Sequence, residues 1–413
     1  MTRTWWRACT TTPEPVPEKG SGGSLGAEAS PEARSRPRRR PSSSAGGVAL
    51  SRVGCDMAFS SPGRAPLRVA LLGFGIAGRS IHAPLIQGVD GLVLQVVASR
   101  QEEAVRSTLP HVTLCGSHED GATHADVDLV VIATANDRHA PLAEAALRAG
   151  KHVVVDKPFT ITLAEARALR ALAESRGLLL SVFHNRRWDT DFLALKALLA
   201  EGTLGHVAHV ESRFDRFRPE VRTQWREQRV PGAGVWFDLG PHLVDQALQL
   251  FGLPESVSGT REVLREGAFV DDWFQYTLVY PRRQVVLQAS MLIAALMPRF
   301  AVHGSRGSWL TLGREPQVPR LVLGESPEGA GWGEAPPPGR DGAPTVASAG
   351  DYRQYYAGIR DALLGGAPNP VTPIQAVAVQ AVLEAGIRAQ ERGGAQGLDL
   401  SEAERAAFDA GAA

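Results

Sequence analysis

A glycine-rich turn that follows an apolar run constrains the fold of this chain more than any other feature. Residues 67–72 are apolar except for Arg68, which is typical of a buried parallel strand. The next six residues are Gly73, Phe74, Gly75, Ile76, Ala77 and Gly78. Glycines at this spacing permit a tight turn, close approach of the backbone to a diphosphate, and close packing of a helix on the strand. The turn therefore predicts a βαβ unit whose helix N-terminus binds a dinucleotide.

The region from residue 67 to residue 186 repeats this alternation of strands and helices. Further strands are predicted at residues 93–98, 127–133, 152–155 and 178–183. Helices are predicted at residues 140–149 and 163–176, and each precedes a glycine, which is a common C-terminal stop. The alternation indicates an α/β fold in which a doubly wound parallel Rossmann sheet is covered by helices on both faces.

The pattern changes after residue 186, which indicates a second domain over residues 187–413. A helix at residues 191–200 precedes a series of consecutive strand-like segments. These segments lie at residues 207–216, 256–264, 273–280, 284–291 and 299–304. Consecutive strands with short connections predict an α/β domain built on a mostly antiparallel open sheet. Residues 313–350 are rich in glycine and proline and predict an irregular surface segment, and helices at 352–364 and 373–392 complete the domain.

Residues 1–66 differ in composition from the rest of the chain. They hold ten of the 44 basic residues but five of the 44 acidic ones, so the remainder is mildly acidic, which argues against a nucleic-acid partner. They are rich in Pro, Ser, Gly and Arg and lack apolar periodicity, which predicts a disordered leader. A start at Met57 is a second interpretation, and a basic arm that binds RNA or a membrane is a third.

Several classes of protein are excluded by what the chain lacks. No apolar run approaches the roughly 20 residues of a membrane-spanning helix. The cysteines, Cys9, Cys55 and Cys115, have no paired spacing and predict neither a disulfide framework nor a zinc site. No group of His, Asp and Glu has the spacing of metal ligands. We therefore expect no metal, no membrane partner and a cytoplasmic protein.

The ends of two predicted strands carry side chains suited to a nicotinamide dinucleotide. The second strand ends at Ser99 and Arg100, whereas an acidic residue is usual there in enzymes that prefer NAD. Because arginine can pair with a 2′-phosphate, NADP is the favoured cofactor, although NAD stays possible and Arg100 can also be a solvated loop residue. Thr134 and Asn136 follow a later strand, where Asn136 either bonds a ribose or caps a helix.

Three further residues supply groups for chemistry at a hydroxyl or a carbonyl. Lys157 directly follows Asp156 at the end of a buried strand, where an ammonium can stabilise a developing alkoxide. Asp238 and His242 are four residues apart, with Pro241 at the expected first position of a helix, so they share one face. Histidine titrates in the range needed for proton transfer. The competing interpretations are a surface turn at the lysine and an N-cap aspartate beside a core histidine.

These motifs resemble those of a known family. Asp156-Lys157-Pro158, Asn185-Arg186-Arg187-Trp188 and the segment from Asp238 to His242 match the Gfo/Idh/MocA oxidoreductases, and the resemblance runs from about residue 67 to about residue 400. Residues 184–192 and 213–221 look most like the NADP-dependent scyllo-inositol dehydrogenase branch. The family usually has glutamate where this chain has Asp156, a departure that shortens the acid but keeps the lysine.

The resemblance implies a Rossmann domain, a C-terminal α/β domain with an open sheet, and a homodimer or homotetramer. It makes Lys157 the catalytic lysine, Asp238 the active-site aspartate that positions the histidine, and His242 the acid/base. It also implies that Asp156 and Lys157 contact the cofactor and that the substrate is a polyol or sugar. Arg186, which follows a predicted parallel strand, is one candidate for the substrate pocket. Four further residues could line the pocket or equally form a solvated strand face: Arg213, Arg216, Trp225 and Arg226.

Two alternatives remain at this stage. The same fold could act on another carbonyl or on an imine. A catalytically silent regulatory protein that binds NADP would also keep the fold, because fold alone does not determine function. The retention of a lysine, an aspartate and a histidine argues against the silent protein.

Overall fold

The structure is a computed structural model that describes residues 65–312, 315–329, 332 and 350–411. The expected leader, except for residues 65 and 66, and most of the expected irregular segment at 313–350 lie outside the described residues. Two sheets organise the described chain, and the first contains strands in the order β3-β2-β1-β4-β5-β6, all parallel. The predicted doubly wound parallel sheet is therefore confirmed.

The strands of this first sheet are short, and most of their apolar residues are buried. They are β1 (Leu67–Leu72), β2 (Leu92–Ala98), β3 (Thr113–Cys115), β4 (Leu129–Ile132), β5 (His152–Val155) and β6 (Leu180–Val182). The helices between them are α1 (Ala83–Gln87), which continues a π-helical turn at Gly78–His82, α2 (Glu102–Thr108), α3 (His118–Ala122), α4 (His139–Arg148) and α5 (Leu163–Arg176). The short elements β3, α2 and α3 were not predicted, because too few residues carry their pattern.

The second sheet has the strand order β12-β11-β7-β10-β9-β8-β13 over the described residues. Its strands are β7 (Val207–Arg213), β8 (Ser256–Glu262), β9 (Trp273–Tyr280), β10 (Arg283–Ser290), β11 (Pro298–Gly304), β12 (Gly307–Leu312) and β13 (Gln396–Gly397). Strand β7 pairs with β10 in parallel, and the other strand pairs described in this sheet are antiparallel. The predicted mostly antiparallel sheet is therefore confirmed.

The remaining helices cover this sheet or tie it to the first one. They are α6 (Thr190–Ala200), α7 (Val235–Phe251), α8 (Gln317–Val322), α9 (Arg353–Gly365), α10 (Pro373–Arg392) and α11 (Glu402–Ala410). Helix α7 packs on β9 and β10, whereas α10 packs on β8, on α7 and also on α5. The C-terminal helices thus belong to the packing of both sheets.

Candidate active site

The glycine turn between β1 and α1 has the geometry of a dinucleotide cradle. Gly73 has φ +95°, and a Cβ there would lie 2.5 Å from the carbonyl oxygen of Ala133, at the end of β4. A Cβ on Gly78 would lie 2.1 Å from the carbonyl oxygen of Gly73. A Cβ on Gly75 would meet nothing within 4 Å. The turn therefore packs tightly against the protein at its two ends and leaves open space at its centre, as a bound diphosphate requires.

The end of β2 places a basic side chain at the surface beside this turn. Ser99 is buried, and its Oγ accepts a hydrogen bond from the Gln101 backbone N–H at 3.0 Å, which closes the turn. Arg100 is exposed. The pKa of His118, at the start of α3, is lowered mainly by burial and further by the positive charges of Arg138 and Arg100. Basic groups that follow β2, β3 and β4 therefore lie near one another.

Thr134 and Asn136 lie at the carboxyl end of β4. The Thr134 hydroxyl donates to the Ala135 carbonyl at 3.3 Å. Asn136 is buried and does not cap a helix; its Nδ2 donates to the Gly232 carbonyl at 2.7 Å, so it joins the first sheet to the loop before α7. The helix-cap interpretation of Asn136 is therefore wrong.

Lys157 and Asp238 meet at the carboxyl end of the first sheet. The Lys157 Nζ donates to the Asp238 Oδ1 at 3.0 Å and to its backbone carbonyl at 2.6 Å. Arg226 Nε lies 3.5 Å from Asp238 Oδ1, and Arg216 lies 3.7 Å from Oδ2. Burial raises the pKa of Asp238, but the charges of these three cations outweigh burial and lower the pKa well below its usual range. Asp238 is therefore ionised at neutral pH.

His242 lies one turn after Asp238 on helix α7. The helix begins at Val235, so Pro241 stands inside it and not at its first position as expected. Among the described residues, the Nδ1 of His242 is buried without a hydrogen-bond partner. The pKa of His242 is lowered well below 6.5, first by burial and then by the charges of Lys157 and Arg186. The imidazole is therefore neutral at neutral pH.

The expected contact of Asp238 with His242 is not formed. The carboxylate of Asp238 contacts Lys157, Arg216 and Arg226 instead, and no hydrogen bond joins it to the imidazole within the described parts of the chain. Three cations from other elements converge on the carboxylate of Asp238 and contact it in place of the imidazole. Asp238 therefore holds the ammonium of Lys157 and does not orient the histidine.

Asp156 is buried between Lys157 and a histidine of the first helix. Its Oδ1 accepts from the Lys157 backbone N–H at 2.8 Å, and its Oδ2 lies 3.7 Å from the His82 Nε2. Burial raises the pKa of Asp156, but the nearby His82 and the charge of Lys157 outweigh it and lower the pKa to about 2. His82 is itself held by Tyr356, whose hydroxyl lies 2.6 Å from its Nδ1.

A cavity of about 410 Å³ connects these groups with the glycine turn. Its lining includes Ile76 and Ala77 together with the chemical groups described above. These are Asp156, Lys157, Asp238 and His242, and the lining also includes Arg186 and Arg216. One space is therefore open both to the expected cofactor position and to the expected reacting groups.

Of the other candidate substrate residues, Arg226 lines this cavity, whereas Arg213 and Trp225 do not. Arg213 pairs with Glu211 at 2.6 Å and lines a second cavity, whose wall also includes Arg186 and Arg216. Trp225 does not line the main cavity, but its ring lies 4.5 Å from the guanidinium of Arg226, which does. Sequence reasoning missed Arg218 and Arg222, which also line the cavity and share the arginine-rich segment before α7. Their position in this arginine-rich segment is the sequence feature that could have identified them.

The described ranges hold neither a candidate metal site nor a candidate membrane span. No group of three or more His, Cys, Asp or Glu side chains there has the arrangement of a metal site. None of the helices in those ranges combines the length and apolar character needed to cross a membrane.

Comparison with protein families gives two matches that together span most of the chain. Residues 67–184 match the Gfo/Idh/MocA oxidoreductase family's NAD-binding Rossmann fold, and residues 196–398 match the family's C-terminal alpha/beta domain. The two matched ranges correspond to the parallel sheet and to the mostly antiparallel sheet.

Individual proteins show the same relationship. The uncharacterized oxidoreductase YdgJ of Escherichia coli K12 is 51% identical over 333 residues, which cover 78% of this chain and 95% of YdgJ. The scyllo-inositol 2-dehydrogenase (NADP⁺) IolW of Bacillus subtilis 168 is 33% identical over 336 residues, covering 79% of this chain and 94% of IolW. A crystal structure of a putative oxidoreductase from Klebsiella pneumoniae superposes with a TM-score of 0.78 at 51% identity, covering 85% of this chain and all of that one.

Proposed function

The chain belongs to the Gfo/Idh/MocA oxidoreductase family, and from this premise we propose that it is an NADP-preferring dehydrogenase. In this proposal a hydride passes between the nicotinamide and a secondary alcohol or ketone of a polyol or sugar of the inositol type. One observation carries the proposal: Lys157, Asp238 and His242 line the same cavity as Ile76 and Ala77 of the glycine turn. The similarity to the inositol dehydrogenase of Bacillus subtilis supports the substrate class.

The glycine turn and the end of β2 support binding of NADP. The open space at Gly75 allows a diphosphate to reach the backbone, and the helical turn that begins beyond it offers free N–H groups. Arg100 is exposed at the end of β2, where the 2′-position of the ribose is expected, and Ser99 replaces the acidic residue usual for NAD. Asp156, Thr134 and Asn136 complete the proposed cofactor contacts.

The proposed roles follow from the charge states of the residues. When bound, the nicotinamide supplies the hydride acceptor or donor. The imidazole of His242 is neutral, so it can take the proton of the substrate hydroxyl. Lys157, held in place by Asp238, donates a hydrogen bond to the same oxygen and stabilises its negative charge. Arg186 and Arg216 line the cavity beside them and contact the rest of the substrate.

The first test is reduction of NADP, followed by absorbance of the reduced nicotinamide, with the purified full chain and a panel of inositols, aldoses and their acidic derivatives. We expect NADP reduction with at least one cyclic compound and slower reduction of NAD. Tight NADP binding without reduction by any compound would contradict the proposed activity and favour a regulatory protein.

Arg100→Ala tests the proposed cofactor preference. Loss of a charge-assisted contact with the 2′-phosphate is expected to weaken NADP binding about tenfold or more and to leave NAD binding unchanged. Arg106→Ala is the matched control, because Arg106 is also exposed near this edge of the sheet but pairs with Glu102 at 2.8 Å. An equal loss for both dinucleotides would contradict the assignment.

A cytoplasmic location and a homodimer or homotetramer stay predictions.

A further inference from the structure

The second cavity adjoins the first one beside the proposed substrate contacts. It has a volume of about 330 Å³. Arg186, Arg216, Arg218 and Val318 line both cavities. Residues of the glycine turn and Lys157 line the first cavity but not the second. The second cavity therefore lies next to the expected position of the substrate and away from the expected position of the cofactor.

The size of the second cavity is that of a complete ligand site. Sites for small molecules typically have volumes of roughly 300 to 1,000 Å³. In the proposed function the first cavity, of about 410 Å³, receives both the nicotinamide and the ring that reacts. A substrate of one ring in the first cavity would leave the second cavity to water. The second cavity therefore has room for a further part of the substrate.

The wall of the second cavity combines oriented polar groups with apolar surface. Glu211 accepts from Nε and Nη2 of Arg213, at 3.1 and 2.6 Å, which fixes the guanidinium. Glu315 accepts two backbone hydrogen bonds, at 2.6 and 3.2 Å, which fix its carboxylate. Leu296 and Met297 add exposed apolar side chains. A sugar ring has hydroxyl groups at its edge and C–H groups on its faces, so it can use both kinds of surface.

Phe214 connects the second cavity with the reacting groups. It lines the second cavity, and its ring meets the imidazole of His242 edge-on, with ring centroids 6.2 Å apart. The guanidinium of Arg186 lies 4.5 Å from the centre of the same ring, and its Nη1 donates to Asp189 at 3.1 Å. The second cavity is therefore one aromatic ring away from the proposed base, which is close enough for a group bonded directly to the reacting ring.

We propose that the second cavity is a subsite for a second sugar ring, and that the substrate is a glycoside. In this compound a hexose is joined through an oxygen atom to the ring that is oxidised. The reaction is the one already proposed: the hydride of the C–H bond passes to NADP, His242 takes the hydroxyl proton, and the glycosidic bond stays intact. This inference rests on the proposed function.

Compounds of one and two rings that share the reacting ring provide the test. They are myo-inositol with its galactoside galactinol, and D-glucose with maltose, cellobiose and trehalose, which differ in their linkage. Binding to the full chain saturated with NADPH is measured by calorimetry, because the reduced cofactor cannot oxidise a hydroxyl group. We expect at least one two-ring compound to bind about tenfold more tightly than its one-ring parent. Equal or weaker binding of every two-ring compound overturns the inference.

Ala294→Trp and Ala295→Trp test the position of the subsite. Both alanines are exposed and line the second cavity but not the first, so an indole there takes up space in the subsite alone. We expect at least one variant to lose most of the preference for two rings and to keep its affinity for the one-ring parent and for NADPH. Leu292→Trp is the matched control, because Leu292 is exposed on the same segment and lines neither cavity. An unchanged preference in both alanine variants overturns the inference.

Turnover separates the two proposals. NADP reduction by one-ring compounds, without tighter binding of any two-ring compound, would keep the proposed function and overturn the glycoside. Tighter binding of a two-ring compound, without NADP reduction by any compound, would support the subsite and count against the proposed function.

Discussion

At the scale of single residues, the charge state of His242 depends on what surrounds it. Burial lowers its pKa most, and the positive charges of Lys157 and Arg186 add to this effect. The neutral imidazole that results is the form able to accept a proton from an alcohol. Asp238, by contrast, is kept ionised by Lys157 and two arginines. The two residues are one turn apart on α7, yet their environments favour a neutral imidazole and an ionised carboxylate.

His242→Ala tests the role of the imidazole. Removal of a general base is expected to lower kcat by a factor on the order of 100 to 10,000. The dissociation constant of NADP should change little, because the glycine turn and Arg100 are untouched. Turnover is measured by absorbance of the reduced nicotinamide, and NADP binding by calorimetry. His111→Ala, at an exposed position, is the control and should change neither quantity. An equal loss of turnover and of NADP affinity would refute the assigned role.

At the scale of elements, helix α7 holds Asp238 and His242 in place through close packing. A Cβ on Gly240 would lie 2.5 Å from the ring of Trp236, one turn earlier on the helix. The indole of Trp236 donates to the Leu383 carbonyl of α10 at 3.1 Å. Position 240 therefore has room for glycine alone, and α7 is fixed against α10 on the side away from the cavity.

The glycine turn allows a paired prediction at this scale. Gly75→Ala should leave the melting temperature nearly unchanged, because a Cβ there meets nothing, but should weaken NADP binding by filling the space of the diphosphate. Gly78→Ala should lower the melting temperature, because its Cβ would collide with the Gly73 carbonyl. Thermal unfolding without cofactor and calorimetric titration with NADP separate the two effects. Unchanged NADP affinity in Gly75→Ala would count against the turn as the diphosphate site.

At the scale of the whole molecule, the C-terminal helices hold the two sheets together by buried polar contacts. On α9, the Tyr355 hydroxyl donates to Ser181 of β6 at 2.9 Å. Arg187 pairs with Asp245 of α7 at 2.6 Å and also donates to Gln375 of α10 at 3.0 Å. A buried ion pair of this kind contributes geometric specificity as well as energy. Residues of α9 and α10 therefore connect β6, the segment after it and α7.

The acid stability of the fold is expected to depend on the buried His184. Burial lowers its pKa to about 4 in the folded protein, against about 6.5 in the unfolded chain. As the pH falls below 6.5 the unfolded chain takes up the proton first, so this residue lowers stability as the pH falls through 6.5 toward 4. Between pH 7 and pH 5 the loss is about 2 kcal/mol.

His184→Gln should therefore lose about 2 kcal/mol less than the unchanged protein over that interval. The free energy of unfolding is measured by denaturant titration at both pH values, and the difference between variants removes the contribution of other groups. Among these, Glu315, whose pKa burial raises to about 7, acts in the opposite direction. His111→Gln, at an exposed position, should leave the pH dependence unchanged. Equal losses in His184→Gln and the unchanged protein would show that His184 is not held neutral.

Most of the architecture is determined by local patterns in the sequence. The strand at Leu67–Leu72, the glycine turn after it and the helix at Leu163–Arg176 were predicted with the bounds that the structure has. Each is specified by neighbouring residues, through apolar periodicity, glycine conformation or a terminal glycine. The same locality explains why Lys157, Asp238 and His242 could be selected as candidates from their motifs.

Only the tertiary structure decides how these candidates are grouped. Lys157 and Asp238 are 81 residues apart in the chain, yet they form one ion pair, and two arginines from the segment before α7 join them. Arg213 pairs with Glu211 and lines a different cavity, and Asp238 does not contact His242. Contacts between distant residues depend on how sheets and helices pack, and side-chain direction depends on register, so neither can be read from local spacing. The sequence determined the fold and the candidate reacting groups, and packing determined which charged side chains share the cavity.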